Sequence, residues 1–181
     1  MTDKQPLFIL CPGRSFSSVV CMSIGQHPDL YGLPEIYLGV VDTLDDWLAL
    51  PSRSDSKHMN QGLLRVIAEL HHGEQTEETV REARAWLHQH RHWTTTRMFY
   101  YLAERVAPRQ LVDKSPAQGN PKNLARLHRM FPQAWFLHLT RHPRSTGNTF
   151  YRVKSAKALL QGYPDLTRLA NMIEDHWIMI H

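Results

Sequence analysis

Three short apolar runs punctuate a chain otherwise built of amphipathic, helix-like stretches. Leu7 to Cys11 comes first, Gln110-Leu-Val-Asp113 second and Ala134-Trp-Phe-Leu-His-Leu-Thr140 third. Each is of strand length, short for a buried helix, and bounded by polar or turn-forming residues. Between and after these runs the apolar positions follow helical spacing. They predict helices over about 17–26, 40–50, 60–71, 76–90, 94–106 and 121–130, another from about 143, and a last one over about 165–181.

The punctuation agrees with these elements. His27-Pro28-Asp29 stops the first helix, because proline cannot continue a helix and disfavours it just before itself. Asp42 or Thr43 stands near the start of the second helix, and Asp165 is a suitable N-cap for the last. Thr76-Glu-Glu-Thr79 sets acids in a first turn, and Pro121 opens its helix. Leu30 to Leu38, with Leu33-Pro34-Glu35, reads as irregular, and Pro51-Ser-Arg-Ser-Asp-Ser56 as a surface loop. Strands separated by helices imply an α/β fold, three-layer α/β/α with a short central parallel sheet. In such sheets ligands bind beyond the carboxyl ends of the strands. The three hydroxyl-rich or basic turns, 12–18, 114–116 and 141–145, all fall at predicted strand ends.

Composition narrows the class. The 181 residues are 42% apolar and 21% charged, which suits one globular domain with a real core. No apolar run approaches the roughly 20 residues that span a membrane, and Leu7 to Cys11 is too short for a signal peptide. The net charge of +4 favours anionic ligands, but the cations are scattered among acids without a basic stripe. A nucleic-acid partner is therefore not expected, nor is a membrane one. Two cysteines, Cys11 at a strand end and Cys21 inside a helix, read as free thiols of a reducing cytoplasm.

Two of the turns carry the chemistry. Pro12-Gly13-Arg14-Ser15-Phe16-Ser17-Ser18 joins a strand to a helix, and such a unit aims N–H groups, hydroxyls and a cation at one point. Arg141-His142-Pro143-Arg144-Ser145 repeats the strand-end arrangement. Two anion-binding strand ends in one small chain suggest a ligand with two separated phosphates.

These residues resemble the sulfotransferases that use 3′-phosphoadenosine 5′-phosphosulfate (PAPS). Pro12, Arg14, Ser15, Ser17 and Ser18 match the family's 5′-phosphosulfate loop, with Phe16 where that loop has glycine. Arg141, Pro143 and Thr149 match its second motif, a strand-ending Arg-x-Pro with a hydroxyl residue eight positions after the arginine. His27-Pro28 before Pro34-Glu35, and Asp113-Lys114-Ser115-Pro116 before Phe131-Pro132-Gln-Ala134, are similar to segments of bacterial members. Together the matches cover most of residues 7–150.

The resemblance implies a P-loop NTPase-like sulfotransferase fold and one sulfotransferase domain over 1–181 that lacks its C-terminal part. It also implies transfer of a sulfuryl group from PAPS to a hydroxyl acceptor, small-molecule or carrier-bound, without a metal. Arg14, Ser15, Phe16, Ser17 and Ser18 would hold the 5′ end of the nucleotide, and Arg141 and Thr149 its 3′ phosphate. Read locally, the same residues make a serine-rich helix start with a solvated arginine, and a threonine bonded to its own helix. Glu35 is the first choice of base, if burial brings its pKa toward neutral. His27, His138 and His142 are the alternatives. Lys114 and Arg14 would stabilise charge on the transferring group, although Lys114 alone reads as an ordinary exposed lysine.

Phe16 bears on all of this. If the loop requires positive φ at that position, a side chain there costs about 1–2 kcal/mol. His88-Gln-His90-Arg-His92 lacks the companions of a metal site and reads as a solvated helix end. Trp47, Trp86, Trp93, Phe99 and Tyr100 read mostly as core, with some available to an acceptor pocket. Two other functions stay open. A P-loop phosphotransferase would depend on ATP and magnesium, although the chain has no Gly-x-x-x-x-Gly-Lys-(Ser/Thr) loop. A non-catalytic nucleotide-binding paralogue would fold without transfer. Acceptor identity and oligomeric state are not encoded in any motif.

Overall fold

The computed structural model describes residues 5–53, 59–152, 174–175 and 177–180. Four strands, β1 (Leu7–Leu10), β2 (Leu30–Gly32), β3 (Gln110–Asp113) and β4 (Trp135–His138), form one sheet in the order β2-β3-β1-β4. All three pairings are parallel. The chain leaving β1 goes to β2 on one side, and the chain leaving β3 goes to β4 on the other. Loops that diverge in this way open a crevice at the carboxyl ends of β1 and β3, where ligands bind in such sheets.

Helices cover both faces of the sheet. Successive β1 residues point to opposite sides, so Phe8 and Ile9 enter different cores. Phe8 joins the larger core with residues of α2 (Leu44–Arg53), α3 (Gln61–His72), α4 (Glu77–Gln89), α5 (Thr95–Val106) and α6 (Pro121–Met130). Its ring meets Phe99 at 5.8 Å and Phe131 at 5.9 Å, and Trp47 is fully buried with its indole N–H donating to the Ile36 carbonyl at 2.8 Å. Ile9 and Val112 pack with Cys21 of α1 (Ser17–Ile24) on the other face. This is the expected α/β/α layering.

Most predicted elements are present, including β3, α6 and α7 (Pro143–Arg152). Their caps follow the sequence: Thr43 Oγ1 accepts from Asp46 N, Thr76 and Thr79 form a capping box, and Asn120 accepts from Lys122 N. Three expectations need correction. Residues 30–32, expected to be irregular, form β2, because Tyr31 and its neighbours pair along β3. Gly32 is required there, since a Cβ would lie 2.8 Å from the Cys21 carbonyl oxygen. The second helix begins at Leu44 rather than Val40, after a 3-10 turn at Leu38–Val40. Pro51 does not end it. The helix runs on to Arg53, because a proline near the last turn forfeits a backbone bond without forbidding helical φ. Of the expected last helix, residues 174, 175 and 177–180 are helical, and Asp165 lies outside the described residues. Among the described residues no helix is long and apolar enough to cross a membrane.

Candidate active site

The turn between β1 and α1 is bent by two left-handed residues, Arg14 at φ 66° and Phe16 at φ 62°. Such bends let neighbouring N–H groups face one side and gather around an anion. Phe16 is also the N-cap of α1 and gives it no side-chain cap, so the helix's first N–H groups are not satisfied by a cap there. The position does require positive φ, and the chain nevertheless carries phenylalanine. Ser15 is buried, and its hydroxyl has no hydrogen-bond partner among the described residues. An orphaned buried hydroxyl is costly unless a ligand completes it.

These residues line an open cleft of about 430 Å³ bounded by Gly13 to Val19, Glu35, Pro116, Arg141 and Thr149. The sequence-predicted anion ligands therefore converge, although they come from both ends of the chain. Arg141 lies with its guanidinium carbon 4.2 Å from the centroid of the Phe16 ring and donates to the Arg14 carbonyl. The Thr149 hydroxyl donates to the Ser145 carbonyl at 2.9 Å, within its own helix, while still lining the cleft.

Lys114 does not line this cleft but bonds two residues that do. It is only 8% exposed, not the ordinary surface lysine its local sequence suggests. Its Nζ donates to Ser18 Oγ at 2.8 Å and to Glu35 Oε1 at 2.8 Å, tying the β1 turn to the Glu35 segment. Glu35 keeps a 39% exposed side chain and accepts at Oε2 from the Tyr37 hydroxyl at 3.0 Å. Burial, then the adjacent Glu35 charge, pushes the Tyr37 phenol well above its ordinary pKa, so it remains a donor. Among the four proposed bases, Glu35 borders this cleft; His27, His138 and His142 do not line it.

A buried network positions Glu35, and its members carry no motif signal of their own beyond Asp113-Lys114-Ser115-Pro116. Ser115 Oγ accepts from Ile36 N at 3.1 Å and Tyr37 N at 3.0 Å, and donates to Asp113 Oδ1 at 2.8 Å. Asp113 also accepts from Ser115 N at 3.0 Å and from the Gln118 amide. Complete burial pushes the Asp113 carboxyl up to about 6, against these hydrogen bonds and Lys114, which oppose the shift. Gly62 of α3 backs the segment from the other side. A Cβ at Gly62 would lie 1.9 Å from the Glu35 carbonyl oxygen, so only glycine allows this approach.

A second cleft, about 380 Å³, adjoins the first at Ser18, which lines both, and Lys114 lines the second cleft while bonding Glu35 on the wall of the first. Its walls include Cys21, Met22, Tyr31, Leu33, Pro34 and Val66, with Arg65, Glu69 and Gln75 at polar positions. None of Trp47, Trp86, Trp93, Phe99 and Tyr100 lines either cleft. His90 is not simply solvated: it stacks on Trp86 at 4.0 Å and bonds that residue's carbonyl through Nδ1. Among the described residues no three His, Cys, Asp or Glu side chains are grouped as metal ligands.

A fold of this kind occurs in solved structures. The sulfotransferase domain from the curacin biosynthetic pathway superposes with a TM-score of 0.80 at 23% identity, over 99% of this chain and 61% of that one. The sulfotransferase domain from the Synechococcus PCC 7002 olefin synthase superposes at 0.78 with 26% identity, again over 99% of this chain and 61% of that one. The chain thus spans about three fifths of each of these structures. The architecture is that of a sulfotransferase domain. A model of the sulfotransferase family matches residues 6–177, and the chain belongs to that family. No curated protein matches it.

Proposed function

We propose that the chain transfers a sulfuryl group from PAPS to the hydroxyl of a small-molecule or carrier-bound acceptor. The observation that carries this reading is Lys114, which bridges the Ser18 hydroxyl and Glu35 where the two clefts meet. The nucleotide occupies the first cleft. The orphaned Ser15 hydroxyl, the Arg14 turn and the start of α1 suit its 5′ phosphosulfate, while Arg141 and Thr149 suit its 3′ phosphate. When bound, PAPS supplies an activated sulfuryl group with adenosine bisphosphate as leaving group.

The acceptor enters from the second cleft and brings its hydroxyl past Ser18, which lines both clefts, to Glu35 on the wall of the first. The Glu35 carboxylate takes the hydroxyl proton as the acceptor oxygen bonds to sulfur. Lys114 then loses the charge of its carboxylate partner and turns its ammonium toward the departing phosphate oxygen, with Arg14 sharing the developing negative charge. Ser18 and the Ser115 network hold the lysine and the base in register, which is the positional part of the rate enhancement. Apolar walls beside polar Arg65, Glu69 and Gln75 suit an acceptor with a mixed surface. Two free buried thiols support a reducing, cytoplasmic setting.

Glu35→Gln tests the base: turnover falls by about 100-fold or more while nucleotide affinity holds. Unchanged turnover removes Glu35 from the role. Arg141→Ala tests the second phosphate: adenosine 3′,5′-bisphosphate binding weakens far more than adenosine 5′-phosphate binding. Equal weakening removes Arg141 from the 3′ site.

A further inference from the structure

Phe16 is an expensive residue for its position. Its backbone is left-handed, at φ 62° and ψ 17°, where a Cβ crowds the following carbonyl. Its ring is 61% exposed, so burial does not offset that strain. Strained residues of this kind gather at ligand sites, where neighbouring structure holds them for a purpose. Among the described residues the ring has a cationic partner. The Arg141 guanidinium sits over it at 4.2 Å while donating to the Arg14 carbonyl, and the Trp177 indole holds the Arg141 carbonyl at 2.9 Å. No carboxylate is paired with Arg141 among the described residues.

We propose that Phe16 is a positioning residue: its ring holds the Arg141 guanidinium across the 14–18 turn, aimed at the second phosphate of a bisphosphate ligand. This rests on the nucleotide reading above and adds to it a residue that the family loop does not supply. A free arginine has many rotamers to lose when it grips an anion. An aromatic face that attracts the cation restrains those rotamers beforehand. Glycine at this position relieves the turn and releases the arginine, so turn strain and anion binding move in opposite directions.

The test compares wild type, Phe16→Gly and Phe16→Trp by calorimetric titration with adenosine 3′,5′-bisphosphate and adenosine 5′-phosphate, with thermal melting alongside. Phe16→Gly is expected to melt no lower than wild type. It binds the bisphosphate about five-fold more weakly, equivalent to about 1 kcal/mol, and the monophosphate within about two-fold of wild type. Phe16→Trp restores the wild-type ratio of the two affinities. An unchanged ratio in Phe16→Gly overturns the proposal and leaves the nucleotide reading standing. A lower melting point with equal loss of both ligands marks a merely structural residue and also overturns it. A wild-type chain that binds neither nucleotide overturns the nucleotide reading, and this proposal with it.

Discussion

Ser115→Ala removes a single oxygen, and the structure says what that oxygen does. Ser115 is fully buried, and its hydroxyl is the acceptor for two backbone N–H groups, Ile36 and Tyr37. Alanine fills nearly the same volume, so no cavity term enters, but both N–H groups lose their partner. Leaving a buried donor unsatisfied costs about 1–3 kcal/mol each, and Tyr37 is only half-buried, so the sum is about 3 kcal/mol. For a chain of this size that lowers the melting midpoint by about 6–12 °C. Asp113 loses a donor at the same time, which removes one of the contacts opposing its raised pKa. Because Ile36 and Tyr37 follow Glu35 directly, the proposed base loses its anchor, while the turn at 12–18 is untouched. Urea denaturation with a fixed m-value measures the first effect, and nucleotide titration beside a turnover assay measures the second. Destabilisation below about 1 kcal/mol would refute the network as the support of the Glu35 segment.

The other two perturbations probe the same scaffold. Asp113 protonates near pH 6 in the folded chain against an ordinary value of 3.8, so the folded state holds the proton more tightly between those values. Its contribution is therefore present at low pH and lost as pH rises through 6, to the extent of about 3 kcal/mol. Asp113→Asn should flatten the dependence of stability between pH 4 and 7, because a turned Gln118 amide can offer Oε1, which has no partner among the described residues, to the new N–H₂. An unaltered slope would assign the pH dependence elsewhere. Gly62→Ala should destabilise by about 2 kcal/mol or more and lower turnover, despite alanine's helix preference, because the added Cβ meets the Glu35 backbone rather than a movable side chain. A variant that melts as high as wild type would show that the contact between α3 and the Glu35 segment is slack.

Local pattern carries much of this architecture. β3 and α6 stand at the bounds their residues imply, because a short Leu-Val pair between polar residues before a basic, proline-containing turn, and a proline-led amphipathic stretch, have few other solutions. The anion turn is legible because its serines and arginine are adjacent in the chain. What escapes is decided at long range. β2 is three residues with a glycine, too short for a period, and forms because β3 offers an edge. Lys114 looks exposed until the start of α1 and the Glu35 segment close over it from 96 and 79 residues away. Ser115 and Gly62 act on Glu35 through its backbone, and no side-chain motif announces that. At Phe16 the departure from glycine is visible in the sequence, whereas the guanidinium that covers the ring comes from the loop after β4, distant in the chain but beside β1 in the sheet.

The first cleft is proposed to take a nucleotide with two separated phosphates. Calorimetric titration of the chain with adenosine 3′,5′-bisphosphate, set against adenosine 5′-phosphate and against ATP with magnesium, tests it most directly. The expected result is a bisphosphate affinity at least about ten-fold above either competitor, since one arginine–phosphate pair contributes about 1.5 kcal/mol or more. Equal affinity for bisphosphate and monophosphate, or preference for ATP with magnesium, would contradict it.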